Sequence, residues 1–409
     1  MIFVLKNFFR ERICYQLAKE YSFLKNFTFK NGVTIKNRVV IPPMTEVSSF
    51  EDGSISTDEL KYLQMRAGGV GLFISPVANV SENGKGFEGE LSITDDRFIP
   101  GLTKVASAMK LGGSKAVLQI FHAGRMSNSK ILRGAQPVSA SAVAAERPNA
   151  ETPKELSNEE IEGIINDFGE ATRRAIQAGF DGIELHGANT YLLQQFFSPH
   201  SNRRTDKWGG SLENRMRFPL EVIKSVHDAV EKFADRPFLV GYRISPEEIE
   251  TPGIRMTDTL KFIDVLANQS IDYLHVSMGY AWRTSLNDKS DTEPLILKIK
   301  KQLNGRLPLI CVGSVETPKE AAKVTDKGIE MVAIGREILR EPKWVQKVEN
   351  DDEGSIRYTI SEQDLDDLGI TQPMWNFLIF RLKSAMHISN QPDYNPEQFK
   401  NKLAPHEGA

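Results

Sequence analysis

The feature that most constrains this fold is a repeated alternation of short apolar runs with amphipathic, helix-like segments. Eight runs of five to seven residues are rich in β-branched side chains and are bounded by Gly, Pro or polar residues. They are RVVIPPM (38–44), GLFIS (71–75), AVLQIFH (116–122), GIELH (182–186), FLVGYRI (238–244), YLHVSMG (273–279), LPLICVG (307–313) and MVAIG (331–335). Such a series of β–α units predicts an α/β fold, a TIM barrel, with a doubly wound open sheet as the alternative.

Helix-start signals fall between these runs. Ser56 and Ser157 each precede a glutamate by three residues, which is the spacing of a capping box. Thr317 shows the same spacing and adds a proline at the first helical position. After Ser157, apolar residues recur on one helical face, and Gly179 follows where a left-handed cap is expected. The barrel is predicted to occupy residues 25–345.

Several segments lie outside the regular alternation. Residues 1–24 are predicted to be an N-terminal extension rather than a signal peptide, because no basic region or small-residue cleavage site flanks their apolar start. Residues 123–157 are expected to form a lid insertion after the third strand, and residues 187–212 form a second long loop. Residues 346–409 hold an apolar cluster that should pack on the barrel or on a partner subunit, so we predict a C-terminal tail there.

Charge and cysteine content exclude several classes of protein. The chain has 51 Lys and Arg against 54 Asp and Glu, which leaves no basic footprint for nucleic acid or anionic lipid. Its 2 cysteines are too few for a disulfide framework or an iron–sulfur site. No apolar run reaches the length of about 18 residues that a membrane span needs. We expect a cytoplasmic protein with a small-molecule substrate and no nucleic-acid or membrane partner; a homo-oligomer is compatible with the sequence.

Polar side chains stand at the ends of several predicted strands. Thr45 follows the first strand, Gln119 lies in the third, and Arg243 lies near the end of the fifth. His186 and Asn189 follow the fourth strand. Because the loops after the strands build the active site of a barrel, these side chains should face one site. They suit a planar ligand with heteroatoms along its edge. A flavin is such a ligand, and its reduced form is an anion that would pair with Arg243 if that arginine is buried.

The last two units indicate a phosphate site. The seventh run ends at Gly313-Ser314 and the eighth at Gly335-Arg336, each before a helix. Glycine allows close backbone approach, a helix N-terminus supplies amide donors, and Arg336 could add a charge-assisted pair of hydrogen bonds. Two ordinary tight turns are the alternative.

Other barrel chemistries lack the residues they need. A Schiff-base aldolase requires a strand lysine, and none of the eight runs carries one. Glu184 and His186 share a strand face, but no H-x-H pair accompanies them, so no metal site is predicted. The glycines of residues 84–89 match GxGxxG without the strand–glycines–helix context of a dinucleotide site. Cys311 lies within an apolar strand, which favours a core position.

With these motifs, the chain resembles the old yellow enzymes, a family of FMN-dependent ene-reductases and NAD(P)H:flavin oxidoreductases. The resemblance covers roughly residues 25–345 and is strongest in AGFDGIELHGANTYLLQQFFSPHSNRRTDKWGGSLENR (178–215). The other matching stretches are LKNFTFKNGVTIKNRVVIPPMT (24–45), LQIFHAGR (118–125), VGYRIS (240–245) and IGREILREP (334–342). The resemblance implies non-covalently bound FMN, with NADH or NADPH as a transient reductant.

The resemblance also implies which residues would hold the cofactor. Thr45 takes the place of the family's Thr or Cys at the flavin O4 and N5 edge. Gln119 and Arg243 match the residues that hold the pyrimidine edge. The phosphate loops and the adjoining backbone would be supplied by Pro43, Met44, Gly313, Ser314, Gly335 and Arg336.

The same resemblance implies the reaction. His186 and Asn189 match the pair that hydrogen-bonds the carbonyl or nitro oxygen of an activated alkene, and Tyr191 matches the proton donor. Hydride would pass from NAD(P)H to flavin N5 and from there to the alkene. The alternatives are an NAD(P)H oxidase or flavin reductase that uses O₂ or free flavin, and a non-catalytic flavin-binding protein.

The chain departs from the family pattern in three respects. Val47 stands where some relatives place an active-site tyrosine, and Val77 stands where a smaller residue often contacts the flavin. The change at Val47 alters the shape of the implied substrate pocket. The chain also lacks the Cys cluster and second nucleotide domain of the larger dienoyl-CoA reductases, which implies a single-domain enzyme.

Overall fold

A computed structural model describes residues 21–381 and 386–389 of this protein. Most of the extension predicted for residues 1–24 and the end of the tail predicted for residues 346–409 lie outside these ranges. The division of the chain into extension, barrel and tail therefore stays a prediction.

The strands are short, as the apolar runs predict. In chain order they are β1 (Phe27–Thr28), β2 (Thr34–Ile35), β3 (Val39–Ile41), β4 (Leu72–Asn79), β5 (Leu91–Ser92), β6 (Lys115–Phe121), β7 (Val138–Ser139), β8 (Lys154–Glu155), β9 (Gly182–Gly187), β10 (Leu239–Ile244), β11 (Tyr273–Val276), β12 (Leu309–Val312) and β13 (Met331–Ala333). The parallel order β3-β4-β6-β9-β10-β11-β12-β13 closes on itself, because β13 pairs with β3. The predicted barrel is confirmed, and the open sheet is excluded.

Helices follow the barrel strands and pack on the outside of the barrel. In chain order they are α1 (Thr57–Arg66), α2 (Ile99–Met109), α3 (Asn158–Gln177), α4 (Leu192–Phe197), α5 (Leu212–Phe233), α6 (Met256–Leu266), α7 (Leu295–Leu303), α8 (Pro318–Asp326), α9 (Arg336–Arg340), α10 (Trp344–Glu349), α11 (Leu365–Leu368) and α12 (Gln372–Arg381). None of the helices within the described ranges combines the length and the apolarity needed to cross a bilayer.

The predicted helix caps are confirmed with one exception. Ser157 accepts the Glu160 amide at 3.3 Å, and the Glu160 carboxylate accepts the Ser157 amide at 2.9 Å, which completes a capping box at α3. At α1 the Ser56 hydroxyl accepts the Glu59 amide, but the Glu59 carboxylate accepts the hydroxyl of Ser49 at 2.5 Å instead of returning to Ser56. That capping box is therefore only half formed, since the buried carboxylate of Glu59 bonds to Ser49 and not to the Ser56 amide.

Inward-facing residues change from apolar to polar along the barrel strands. Val117 and Tyr273 belong to one buried cluster with Phe29, which lies in the turn between β1 and β2. The β1–β2 hairpin thus closes the N-terminal end of the barrel with apolar side chains. Two residues further along the same strands stand Gln119 and His275, both fully buried. Polar chemistry is consequently confined to the C-terminal half of the barrel interior.

Two segments cover the C-terminal end of the barrel. Residues 123–157, predicted as a lid insertion, contain a small parallel pair formed by β7 and β8. The α12 helix buries Met374, Trp375 and Leu378 in the main hydrophobic core. The apolar cluster noted in the sequence of the tail thus packs on this chain's own barrel.

Candidate active site

A cleft at the C-terminal end of the barrel holds about 1130 Å³ of space, part of which is open to solvent. It is lined by all the residues that the sequence predicts for the site, which come from widely separated parts of the chain. They are Pro43, Met44, Thr45, Gln119, His186, Asn189, Tyr191, Arg243, Gly313, Ser314, Gly335 and Arg336. The structure brings these residues together, while their individual roles stay predictions.

The register of the parallel strands sets the layout of the cleft. Arg243 on β10 is the partner of His186 on β9 and of His275 on β11. Gln119 on β6 is the partner of Glu184 on β9. Residues that are paired across adjacent strands point to the same side of the sheet. The register therefore places these polar side chains on the inner side of the barrel, in successive layers along its axis.

Three aromatic rings meet at the end of β9. The Tyr191 ring lies edge-on to the rings of His186 and Phe121, with centroids 4.8 Å and 4.9 Å apart. Just before Tyr191, Asn189 and Thr190 have φ angles of 55° and 63°, a left-handed conformation that is unusual for two consecutive non-glycine residues. Such strain costs about 1–3 kcal/mol per residue and persists at functional sites because the surrounding packing holds it. The strained turn presents His186 and Tyr191 on the same side of the cleft.

A hydrogen bond to His186 and the burial of Tyr191 indicate the protonation states of these two side chains. The Nδ1 atom of His186 accepts the Ala188 amide at 3.4 Å, which favours the neutral tautomer with hydrogen on Nε2. Burial raises the pKa of Tyr191 above its ordinary value, and the nearby Glu90 carboxyl raises that pKa further. Tyr191 therefore carries its phenolic proton at neutral pH, and both side chains can donate a hydrogen bond.

A short hydrogen-bond chain connects Arg243 with Asn189. Arg243 donates to the hydroxyl of Ser277 at 3.2 Å, and Ser277 donates to Oδ1 of Asn189 at 2.8 Å. The Asn189 amide is thereby oriented with its NH₂ donor group away from Ser277. Ser277 also lines the cleft, but it is not among the site residues predicted from the sequence. It follows β11 directly, so the expectation that polar residues at strand ends face the site applies to it as well.

The predicted phosphate loops contain a close backbone approach. Gly313 has a φ of 141°, and a Cβ atom there would lie 2.5 Å from the backbone nitrogen of Ala281. The Ser314 hydroxyl donates to the Gly279 carbonyl at 2.7 Å and also receives a hydrogen bond from Arg336. Arg336 and Ser314 therefore join the two loops. The helix after Gly335 has only 5 residues, so its dipole adds less to a phosphate site than the sequence led us to expect.

A buried ion-pair network supports the same loops. The fully buried Arg340 lies 3.1 Å from the carboxylate of Glu316, which lines the cleft, and 2.5 Å from that of Glu337. Burial raises the pKa of Glu337 to about 8, so at neutral pH its contact with Arg340 is mainly a hydrogen bond, whereas Glu316 forms the ion pair. Arg340 links the loop after β12 to α9 and fixes the separation of the two loops. No sequence signal marks this pairing, because it arises from contacts between successive β–α units.

The C-terminal helix α12 contributes part of the cleft wall through Met374, Phe377 and Leu378. Arg66, fully buried on α1, donates to the carbonyl oxygen of Leu368 just before this segment at 3.0 Å. The sequence predicted that the tail would pack, but not that it would reach the site, since no local pattern encodes which face of the barrel it covers. Within the described part of the chain, no group of three His, Cys, Asp or Glu side chains is placed to hold a metal ion.

Comparison with known proteins assigns the chain to a family. The model of the NADH:flavin oxidoreductase / NADH oxidase family matches residues 22–354. The chain belongs to this family. The resemblance to the old yellow enzymes is confirmed, and the cofactor of this family is FMN.

Curated relatives of this flavin oxidoreductase include proteins of very different length. An NADH:acrylate oxidoreductase of Vibrio harveyi is 47% identical over 84% of this chain and 34% of its own length. An NADH:fumarate oxidoreductase of Klebsiella pneumoniae is 43% identical over 83% of this chain and 37% of its own length. The probable NADH-dependent flavin oxidoreductase YqiG of Bacillus subtilis is 43% identical over 83% of this chain and 91% of its own length. The chain thus spans only about a third of the first two relatives.

Solved structures of related enzymes share the fold. Morphinone reductase is 28% identical with a TM-score of 0.69, and the match covers 82% of this chain and 91% of that protein. A 2-naphthoyl-CoA reductase in complex with 2-naphthoyl-CoA is 26% identical with a TM-score of 0.74, and the match covers 82% of this chain and 53% of that protein.

The residues of the cleft fit FMN. The Oε1 atom of Gln119 is buried and has no hydrogen-bond partner among the described residues, which is expected where a ligand completes the pairing. Arg243 and Arg336 both line the cleft and supply positive charge, and the backbone at Gly313 allows close approach. A flavin has both a hydrogen-bonding ring edge and a phosphate, which match these two parts.

Removal of either arginine should weaken FMN binding. We expect Arg243→Ala and Arg336→Ala each to lower the affinity at least tenfold, because loss of one partner of a buried charge pair costs about 2–5 kcal/mol. The measurement is the dissociation constant of FMN by fluorescence quenching, with Arg217→Ala on the exposed face of α5 as a control that should bind like the parent. Unchanged affinity in both variants would show that these arginines do not contact the cofactor.

Proposed function

We propose that this flavin oxidoreductase is an ene-reductase that transfers hydride from NADH or NADPH to an alkene conjugated with a carbonyl or nitro group. The observation that carries the proposal is the grouping of His186, Asn189 and Tyr191 on one side of the cleft. Holding FMN requires none of these three side chains. An enzyme that protonates a carbon and binds an oxygen requires groups of this kind.

His186 and Asn189 would bind the oxygen of the acceptor. FMN, when bound, supplies the chemistry of accepting hydride from nicotinamide and delivering it to the acceptor. Negative charge grows on the acceptor oxygen as the alkene is reduced, and donors fixed in advance stabilise that charge without reorganising. The Ala188 amide orients His186, and Ser277 orients Asn189, so both donors are held before the acceptor arrives.

Tyr191 would deliver the proton to the acceptor carbon. Its raised pKa keeps the phenol protonated, and packing against Phe121 and His186 holds its ring in place. A donor with one defined position transfers its proton to one face of the alkene. The product is expected to carry hydrogen from Tyr191 on the carbon next to the carbonyl or nitro group.

The tail helix α12 adds apolar side chains to the wall of the cleft. Phe377 borders the main cleft and also the adjoining groove that Val47 lines. Val47 itself has a φ of 45°, a strained conformation for a β-branched residue. The apolar side chains that the tail adds to the cleft favour acceptors with an apolar body beyond the carbonyl or nitro group.

A second candidate is that this chain oxidises NAD(P)H and passes the electrons to a different acceptor. The relatives named for acrylate and fumarate favour it, because about two-thirds of their length has no counterpart in the matched region. Their alkene could therefore be reduced at a site outside that region. O₂, free flavin or a second electron-transfer centre would then be the acceptor of this barrel.

The two half-reactions separate these candidates. The purified protein is reduced anaerobically with NADH or with NADPH and is then mixed with cyclohexenone, a nitroalkene, acrylate, fumarate, free FMN or air. The proposal predicts that an enone or nitroalkene reoxidises the bound flavin faster than air does. Reoxidation by air or free flavin alone would favour the second candidate instead.

A further inference from the structure

A buried carboxylate lies one layer below the cleft. Glu184 is fully buried on β9, within the barrel interior, and it does not line the cleft. Burying a carboxylate is unfavourable unless its oxygens are well hydrogen-bonded. The residues around Glu184 therefore show what the carboxylate is used for.

The register of the neighbouring strands places Glu184 between Gln119 and the ring of Tyr273. On one side, Gln119 of β6 is its register partner. On the other side its register partner is Gly241, where a Cβ atom would lie 2.1 Å from the ring of Tyr273. The missing side chain lets that ring reach across β10 toward Glu184. Burial and the Glu184 charge accordingly raise the pKa of Tyr273 well above its ordinary value.

Both oxygens of Glu184 are engaged by donors. Oε1 accepts the Nε2 group of Gln119 at 2.7 Å, and Oε2 pairs with Nδ1 of His275 at 2.9 Å. Burial lowers the pKa of His275, so this histidine is neutral and donates its Nδ1 hydrogen to the carboxylate. Gln119 and His275 thus both donate to the central carboxylate of Glu184, and all three side chains are fully buried.

The hydrogen bond to Glu184 fixes the orientation of the Gln119 side-chain amide. Gln119 donates to Oε1 of Glu184 through its NH₂ group, while Oε2 accepts from His275, so the carboxylate acts as an acceptor on both sides. The opposite orientation would place the amide oxygen against a carboxylate oxygen. Oε1 of Gln119 must therefore be the atom directed away from Glu184, and it is the buried oxygen that has no partner among the described residues.

We infer that Glu184 is a positioning residue that holds Gln119 as a hydrogen-bond acceptor in the cleft, so that the site selects a ligand ring with an N–H group at that edge. The inference rests on FMN binding in this cleft. The pyrimidine part of a flavin carries one imide N–H between two carbonyl groups. Gln119 would accept that N–H, and Arg243 would donate to a carbonyl oxygen beside it.

The Glu184→Gln variant should reverse the Gln119 amide. The side-chain oxygen of the introduced glutamine would still accept the Nδ1 hydrogen of His275, so its NH₂ group would face Gln119. Gln119 would then turn its oxygen toward that NH₂ group and its own NH₂ toward the cleft, where it meets the ligand N–H as a second donor. FMN binding should weaken by roughly tenfold to a hundredfold, the effect of leaving a buried donor without an acceptor.

A double-mutant cycle with Gln119→Ala tests whether Glu184 acts through Gln119. FMN affinity is measured for the parent, each single variant and the double variant. We expect Glu184→Gln to change the affinity less than about twofold in the Gln119→Ala background, because coupled residues are not additive. The same factor in both backgrounds would overturn the inference. A parent that fails to bind FMN would overturn the cofactor assignment first, and the inference with it.

Two further measurements guard against a merely structural effect. The exchange-protected imide proton of bound ¹⁵N-labelled FMN should be visible by NMR in the parent and lost or shifted in Glu184→Gln. If Glu184→Gln does not fold, the exchanged pair Gln119→Glu with Glu184→Gln restores an acceptor toward the cleft and a full set of hydrogen bonds. We expect that exchanged variant to bind FMN with an affinity close to that of the parent. A folded exchanged variant that does not bind FMN would contradict the inference.

Discussion

The Tyr191→Phe variant should turn over cyclohexenone roughly 10²–10⁴ times more slowly than the parent, which is the usual contribution of a positioned general acid. The substitution keeps the ring that packs on His186 and Phe121 and removes only the phenolic proton. FMN content and the rate of reduction by NAD(P)H should therefore be unchanged. The measurement is stopped-flow reoxidation of the reduced variant by cyclohexenone.

A nitroalkene and a second tyrosine provide the controls for this prediction. The nitronate formed from a nitroalkene can leave the site and be protonated in water, so Tyr191→Phe should slow its reduction much less. Tyr242→Phe removes a buried hydroxyl from a tyrosine that does not line the cleft, and should behave like the parent. Equal slowing of Tyr191→Phe with both acceptors, or no slowing with either, would assign Tyr191 a structural role.

The His186→Ala variant should slow the reoxidation of the reduced enzyme by an enone by about 10²–10³, the usual effect of removing one oxyanion donor. The same variant should bind a phenolate such as p-hydroxybenzaldehyde more weakly, because the phenolate oxygen occupies the place of the acceptor oxygen. Absorbance titration with the phenol measures this binding, and stopped-flow absorbance measures the reoxidation.

A half-buried histidine outside the cleft serves as the comparison for His186. His227 lies on α5, outside the lining of the cleft, and pairs with Glu231 on the same helix face. His227→Ala should bind the phenolate and react as the parent does. Parent-like phenolate binding by His186→Ala would show that His186 does not contact the acceptor oxygen.

Much of the site could be predicted because a barrel concentrates its chemistry at the ends of its strands. The position of Gln119, His186 and Arg243 in or after apolar runs was enough to place them on one face once the barrel was recognised. The local geometry also followed from sequence where it depends on a few neighbouring residues. Gly179 after α3, for example, has the predicted left-handed conformation, with a φ of 87°.

Features that depend on contacts between distant segments could not be predicted. The bond from Gln119 to Glu184 requires the register of β6 against β9, and the pairing of Arg340 with Glu316 requires the packing of two successive units. The sequence alone suggests no role for Glu184 beyond that of a metal ligand without partners, whereas in the structure it accepts hydrogen bonds from two side chains. The sequence around one residue does not indicate which distant residue its side chain will contact.

The tail shows the same limit on a larger scale. Its apolar cluster predicts burial, but the surface that it covers depends on contacts with distant residues, such as the hydrogen bond from Arg66 to the carbonyl oxygen of Leu368. The contribution of Phe377 to the cleft could thus be seen only in three dimensions. This part of the wall lies beyond residues 22–354, the region that matches the family model.

The visible spectrum of the purified protein under anaerobic conditions decides whether the cleft holds FMN that NAD(P)H reduces. We expect a yellow protein with roughly one non-covalent FMN per chain, as for one enclosed cofactor site. Addition of stoichiometric NADH or NADPH should bleach the flavin absorbance, and Arg243→Ala should be paler at the same protein concentration. A folded protein that stays colourless after incubation with FMN, or whose bound flavin is reduced by neither nicotinamide, would show that the assignment of this cleft is wrong.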